Sequence, residues 1–231
     1  MSEALSTALE LLVRFDPKLV EIVSLSLGVS LSAVAVATLL GLPMGAAIAV
    51  GRFPGRQTVI VMLNALMGLP PVVVGLLVYL LLSRAGPLGS LGLLFTPGAM
   101  VIAQSILILP IVAALSRQAI EDAWREYEEQ LRSLGAKRTS AALTLLWDTR
   151  FSLLTAVLAG FGRAAAEVGA VMIVGGNIDG VTRVMTTSIA LETSKGDLPL
   201  ALGLGFILIT IVLALNAAAY LTKELAQRRY G

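Results

Sequence analysis

Long runs without a single charged residue restrict this chain to a membrane-spanning fold. Residues 22–50 and 57–83 contain no Asp, Glu, Lys or Arg. A helix over the first run would be about 44 Å long, which exceeds the roughly 30 Å hydrocarbon core of a bilayer. Only 14% of the 231 residues are charged, against about 25% in an ordinary soluble domain. The sequence therefore predicts an all-α integral membrane protein.

Five apolar segments are long enough to cross a bilayer, and we expect them to form a single transmembrane domain over residues 1–231. Pro70 and Pro71 lie inside the second segment, where two missing backbone donors should bend or break the helix. Gly41 and Gly45 have the GxxxG spacing that allows close helix approach, although glycine-rich spans also contain this spacing by chance. The predicted spans cover residues 22–50, 57–83, 99–116, 151–178 and 198–222.

The basic residues predict how these spans are oriented. Eleven Lys and Arg residues fall in segments on the side of the C-terminus, and five fall on the opposite side. The positive-inside rule then places the N-terminus outside and the C-terminus in the cytoplasm. Residues 117–150 become a charged cytoplasmic insert, and a short helix at about 181–195 becomes external. The first eighteen residues have leucines at helical spacing, which indicates an interfacial helix.

Several classes of function are excluded by residues that the sequence lacks. It contains no Cys and no His, which rules out disulfides, thiolate zinc sites and Ser-His-Asp triads. No Gly-Lys pair occurs, so the GxxxxGK[ST] loop that binds ATP phosphates is absent as well. The basic residues follow no aromatic stripe that would indicate nucleic-acid binding. We therefore expect no catalytic residue, metal or cofactor on this chain.

The cytoplasmic insert is patterned as two helices separated by a corner. Gly135 can end the first helix, and residues 138–146 can form a shorter second one. Charged loops are most often solvated connectors, and this interpretation stays open. The alternative is a surface that docks onto another protein, because the short helix carries several apolar side chains. These are Ala141, Leu143, Leu145 and Leu146.

The insert resembles the EAA loop of ABC importer permeases. Glu129-Gln130-Leu131 stands where that loop has its acidic triplet, and Gly135 matches its glycine. The triplet itself departs from the general pattern, as does Leu145-Leu146-Trp147-Asp148 in place of the usual proline-containing end. The segment FGRAAAEVGAVMIVGGNIDGVTRVMTTSIALETSKGD resembles the molybdate, sulfate and tungstate branch of these permeases, most closely its tungstate permease subunits.

This resemblance implies the type I ABC importer permease fold, with five transmembrane helices and a cytoplasmic coupling helix. It implies import of an oxyanion, with tungstate preferred and molybdate next, across a bacterial or archaeal cytoplasmic membrane. The implied partners are a second copy of the chain, a cytoplasmic ABC ATPase dimer that binds ATP and Mg, and an external oxyanion-binding protein. The residues implied to dock the ATPase are Glu129, Gly135, Ala136, Lys137, Arg138, Ala141, Ala142 and Leu145.

Polar residues in and beside the spans are candidates for the translocation pathway or its gate. Arg163 and Glu167 lie four apart in the fourth span, where they can form a buried structural ion pair, or Arg163 can lend positive potential to an anion path. Asn64 can bond a neighbouring helix or line the path. The external helix can be a gate or an ordinary interfacial helix. Its candidate gate residues are Thr182, Arg183, Thr186 and Thr187.

Two other classes of protein fit part of this pattern. An ion-gradient-driven carrier or channel would work without an ATPase, but it should have acidic relay residues deep in several spans. A membrane scaffold would use the insert only to recruit a cytoplasmic partner.

Overall fold

The computed structural model describes residues 17–230, including the side chains up to residue 221 and at 224. Over this range the chain is helical and contains no strand, which confirms the all-α prediction. Of the interfacial helix predicted over the first eighteen residues, residues 1–16 lie outside the described residues. The α-helices are α1 (Pro17–Val50), α2 (Arg56–Leu66), α3 (Pro71–Leu82), α4 (Pro97–Ser133), α5 (Arg138–Asp148), α6 (Arg150–Ala165), α7 (Gly169–Gly175), α8 (Met185–Lys195) and α9 (Leu198–Tyr230), and Gly89–Leu91 forms a short 3-10 helix.

Among the described helices, α1, α4 and α9 are each long and apolar enough to cross a membrane. Two further candidates are the bent pairs α2 with α3 and α5 with α6, which would raise the number of spans to five. This upper total equals the five predicted spans in number, but the pair α5 with α6 includes residues 138–148, which were predicted to lie in the cytoplasmic insert. Helix α4 continues past residue 116 to Ser133, so the first part of the charged insert extends a membrane helix instead of starting a new one.

The second apolar segment is broken at its two prolines, as predicted. Helix α2 ends at Leu66 and α3 begins at Pro71, with Pro70 in an extended conformation at φ −66° and ψ 120°. Proline lacks the N–H that a continuous helix needs at this point, and its ring disfavours helical backbone in the residue before it. The break therefore follows directly from the local sequence.

The fourth apolar segment, expected as one helix over 151–178, is also interrupted. Helix α6 ends at Ala165 and α7 begins at Gly169. Glu167 lies in the intervening break. The expectation of one continuous helix over residues 151–178 is therefore wrong, and the pairing of Arg163 with Glu167 stays a prediction.

The chain divides into two compact units. The first unit contains the described residues up to Ser32, Pro70–Gln104 and the described residues from Ala164 onward. The second unit contains Ala33–Leu69 and Ser105–Arg163. Each unit has its own tightly packed helix contact.

In the first unit, α3 and α7 pack at van der Waals distance because both carry glycine at the contact. A Cβ placed on Gly75 would lie 2.8 Å from the Cα of Ala170, and one on Gly169 would lie 3.0 Å from the Cγ2 of Val72. The Phe95 N–H donates a 3.0 Å hydrogen bond to a carbonyl of α7. This pair of short helices is therefore held by backbone approach as well as by side-chain packing.

In the second unit, the GxxxG spacing of α1 packs against α4. A Cβ on Gly41 would lie 3.0 Å from Val112 Cγ1, and one on Gly45 would lie 2.1 Å from Ser116 Oγ. Only glycine fits the second position, since a methyl group there would overlap the hydroxyl. The prediction that this spacing allows close helix approach is confirmed.

Candidate functional site

A glycine corner joins α4 to the short helix α5. Gly135 has φ +71°, a left-handed conformation that glycine adopts without steric cost. Its N–H donates to the Arg132 carbonyl at 2.9 Å, and the Ala136 N–H donates to the Leu131 carbonyl at 3.0 Å. These bonds satisfy carbonyls at the end of α4 and turn the chain. The predicted order of helix, glycine corner and second helix is confirmed.

One face of α5 is buried in the protein's own interior. Ala141 and Leu145 are 0% and 1% exposed. They were predicted to contact an ATPase, but the structure uses them to anchor α5, because a helix this short is stable only when one face is packed. The core that they enter also contains Ala46, Ala49, Val50, Ile120, Trp124 and Leu153.

The opposite face of α5 is apolar and exposed. Leu143 and Trp147 are 70% and 73% exposed. The Arg150 guanidinium carbon lies 5.0 Å from the centroid of the Trp147 ring, within the range of a cation–π contact. Among the other predicted docking residues, the exposed ones are Glu129, Gly135, Lys137 and Arg138, and the partly buried ones are Ala136 and Ala142.

The sequence already contained the signal for this exposed face. Ala141 and Leu145 are four residues apart, and so are Leu143 and Trp147, so α5 has two apolar stripes on opposite sides. The pattern alone does not say which stripe faces inward. Contacts with α1 and α4 decide it in favour of the stripe with the smaller residue, Ala141.

The threonines predicted for an external gate are buried and hydrogen bonded. Thr182 is 0% exposed; its Oγ1 donates to the Gly175 carbonyl at 2.6 Å and accepts from the Ile178 N–H at 2.9 Å. Thr186 Oγ1 donates to the Glu167 carbonyl at 2.8 Å. Thr182 fixes the turn between α7 and α8, and Thr186 connects α8 to the break between α6 and α7. A gating role for the helix stays a prediction, but it cannot use these hydroxyls as open donors in this conformation.

Thr187 acts at the start of α8. It is 0% exposed, and its Oγ1 accepts from the Val184 N–H at 3.1 Å. That bond satisfies a backbone donor at the helix N-terminus, as capping side chains do.

The two charged residues predicted within the fourth span, Arg163 and Glu167, lie in different elements. Glu167 is 2% exposed, and its Oε1 accepts from the Ala170 N–H at 3.0 Å, in the first turn of α7. Arg163 is half-buried in the last turn of α6. Asn64 is exposed on α2, and its role stays a prediction. Gln104 Nε2 does bond a neighbouring segment, donating to the Ala164 carbonyl at 3.2 Å.

Arg183 lies at a cavity of about 540 Å³ in the first unit. Its Nη1 is 2.8 Å from Asp179 Oδ1, and Lys195 Nζ is 2.9 Å from Glu192 Oε1. Among the described lining residues carboxylates outnumber cations, and this balance does not favour a doubly negative oxyanion. The charged lining residues are Lys18, Arg183 and Lys195, with Glu21, Asp179, Glu192 and Asp197.

Comparison with known proteins places most of this chain in one family. The model of the binding-protein-dependent transport system inner membrane component matches residues 37–231. That range includes the glycine corner, α5 and both interrupted helix segments.

The curated relatives match over nearly the whole chain. The tungstate uptake system permease protein TupB of Peptoclostridium acidaminophilum is 42% identical over 97% of this chain and 98% of its own length. A probable anion ABC transporter permease protein of Haloferax volcanii is 41% identical over 92% of this chain and 94% of its own length. The sulfate transport system permease protein CysW of Synechocystis is more distant, at 32% identity over 90% of this chain and 76% of its own length.

Proposed function

Because the chain belongs to the family of inner-membrane permease components of binding-protein-dependent, ABC-type transport systems, we propose that it is the permease subunit of an ATP-driven tungstate importer. Identity of 42% to a tungstate uptake permease over nearly its full length supports tungstate. Sulfate permeases are more distant, at 32% identity or less. Molybdate, which shares the shape and charge of tungstate, is the expected second substrate.

One observation carries the coupling mechanism: α5 is anchored on one face and exposed on the other. Ala141 and Leu145 fix the helix to the body of the second unit, and Leu143 and Trp147 offer an apolar surface. Large exposed apolar side chains rimmed by charged residues are typical of protein interfaces. We propose that a cytoplasmic ABC ATPase dimer binds this surface, and that closure of the ATPases on ATP moves α5.

The sequence lacks the residues that bind ATP phosphates, which supports ATP binding by the partner ATPase. Its sequence contains no Gly-Lys pair and hence no phosphate-binding loop of the GxxxxGK[ST] type. ATP and Mg are therefore proposed to bind the partner subunit, and this chain is proposed to have no catalytic residue or cofactor of its own.

The pathway is proposed to form between two copies of the chain. A single five-span subunit supplies only one wall of a pathway, and a two-fold dimer supplies the second. The charged cavity beside Arg183 carries more carboxylates than cations, and this supports tight oxyanion binding on a separate external protein. Weak interaction along the path itself suits transport, because a site that binds too tightly would stall.

We propose that the chain lies in a bacterial or archaeal cytoplasmic membrane with its N-terminus outside and its C-terminus in the cytoplasm. The excess of basic residues on the side of α5 supports this orientation. It puts the exposed face of α5 where ATP is available.

The experiment that tests this function is tungstate uptake into proteoliposomes that contain the permease and its ATPase, with ATP inside and the binding protein outside. We expect uptake to require both ATP and the binding protein, and to continue when ionophores abolish ion gradients. Uptake that needs an ion gradient and ignores ATP would support the carrier interpretation instead. A complex that binds the ATPase but moves no oxyanion would support the scaffold.

A further inference from the structure

We propose that Glu121 is a positioning residue that links the turn between α1 and α2 to the part of α4 that holds α5. Through this link, a displacement of α5 reaches the start of α2. The role requires an ATPase that moves α5, so it rests on the proposed function.

Glu121 binds three arginines while remaining largely buried. Its side chain is 13% exposed; its Oε2 is 3.2 Å from Arg56 Nη2, and its Oε1 is 3.1 Å from Arg125 Nη2. Arg117 Nη1 also bonds Oε2. Arg117 and Arg125 belong to the same helix at the i,i±4 spacing, and they already compensate the carboxylate charge. The contact with Arg56 therefore adds a connection to another element beyond what neutralisation of the charge requires.

Arg56 joins three elements through one guanidinium. It is the first residue of α2. Its Nε donates to the Ile48 carbonyl at 2.8 Å, and its Nη2 donates to the Ala49 carbonyl at 3.2 Å. Both carbonyls belong to the last turn of α1, where no intrahelical donor remains. The planar guanidinium holds these oxygens and the Glu121 carboxylate in fixed directions, which a lysine could not do.

The same turn of α4 also contacts α5. Ile120 directly precedes Glu121 and Trp124 follows it by three residues, and both lie in one core with Ala141 and Leu145. The same turn of α4 therefore contacts two elements. Ile120 and Trp124 pack on α5, and the Glu121 carboxylate binds Arg56 at the start of α2.

The end of α1 also packs directly on α5, through Ala46, Ala49 and Val50. Packed helices shift as units and not by continuous deformation, so α5, the end of α1 and this turn of α4 move together. The contact between Glu121 and Arg56 transfers that movement to the start of α2.

A second link between the same elements is weaker. Arg52 Nη2 lies 2.9 Å from Glu128 Oε1, but the Arg52 side chain is 62% exposed. Solvent screens exposed ion pairs, so they do little to fix the relative position of the elements that they join. Glu121 is therefore the link that the test should remove.

The test uses the complete transporter with its ATPase and binding protein, and measures tungstate transported per ATP hydrolysed. Glu121→Gln should lower this ratio by about fivefold or more, while ATP hydrolysis continues. Asp122→Asn is the matched control, because it removes a carboxylate from the neighbouring, exposed position and should leave the ratio unchanged. A defect that is only structural would lower the amount of active transporter and leave the ratio the same.

Arg56→Gln gives a second, independent variant, since it breaks the same link from the α2 side. It should lower the ratio as Glu121→Gln does, and it carries the test if Glu121→Gln does not assemble. An unchanged ratio in these variants, or failure of both to assemble, would overturn the role of Glu121. A wild-type transporter that moves no tungstate on ATP would instead overturn the proposed function.

Discussion

Gly45 and Ser116 approach so closely that a Cβ on the glycine would lie 2.1 Å from the serine hydroxyl oxygen. The same Cβ would be 2.8 Å from the Ala113 carbonyl oxygen and 2.9 Å from the Arg117 nitrogen. Backbone atoms cannot turn away as a side chain can, so α1 and α4 would have to separate. This contact holds the two longest described helices of the second unit together, and it sets the position of the helix that carries α5.

Gly45→Ala is therefore expected to destabilise the protein by about 1–3 kcal/mol, the usual cost of overpacking. Gly28→Ala is the matched control, because Gly28 lies in the same helix with nothing within 4 Å of its added Cβ. The control should be neutral or slightly stabilising, since alanine favours helix over glycine. Thermal unfolding in detergent measures both. Equal melting temperatures for the two variants would show that the close contact does not exist.

The glycine corner gives a second prediction. A Cβ on Gly135 meets nothing within 4 Å, so only its φ of +71° limits substitution. Gly135→Val should strain this conformation by about 1–2 kcal/mol or more and displace α5, which lowers uptake while the protein still inserts. Gly135→Asn should retain uptake, because asparagine tolerates left-handed backbone. Equal uptake by both variants would show that transport does not depend on the left-handed conformation of Gly135.

The two faces of α5 should respond differently to truncation. Trp147→Ala removes an exposed side chain, and it should weaken ATPase binding by about 2 kcal/mol or more with little change in unfolding temperature. Leu145→Ala creates a cavity in the core and should cost about 2–5 kcal/mol of stability. Affinity of the purified permease for its ATPase and thermal unfolding are measured on both. Unaltered affinity in Trp147→Ala would remove this face from the interface.

Thr186 provides a prediction for the break between α6 and α7. Thr186→Val keeps the volume but leaves the buried Glu167 carbonyl without the hydroxyl donor that it now has. A lost partner for a buried group costs about 1–3 kcal/mol. Thr186→Ser restores the donor and should recover most of this stability in thermal unfolding. Equal unfolding temperatures for Thr186→Val and Thr186→Ser would show that this hydrogen bond does not stabilise the break between α6 and α7.

The two helix breaks differ in how far the sequence predicts them. Pro70 and Pro71 break the helix through their own chemistry, so that break was predictable. Residues 165–168, Ala-Ala-Glu-Val, are all compatible with helix. Their break is held by one tertiary contact, the hydrogen bond from Thr186 Oγ1 to the Glu167 carbonyl, and by one local contact, in which Glu167 Oε1 accepts from the Ala170 N–H. Local pattern cannot supply the contact with Thr186, which explains why the sequence predicted one continuous helix over residues 151–178.

The same distinction applies to α5. The glycine corner follows from residue type, because glycine favours a left-handed end of a helix. Residue type alone does not determine which face of α5 points inward, since both stripes are apolar. Packing on Ile120 and Trp124 selects the stripe with Ala141 and Leu145.

ATP hydrolysis by the complete reconstituted transporter, measured as each oxyanion is added with the binding protein, tests the proposed function most directly. We predict that tungstate stimulates hydrolysis at the lowest concentration, that molybdate follows, and that sulfate is the weakest. Omission of the binding protein should abolish the stimulation. Hydrolysis that none of the three oxyanions changes would contradict the assignment of this chain to oxyanion import.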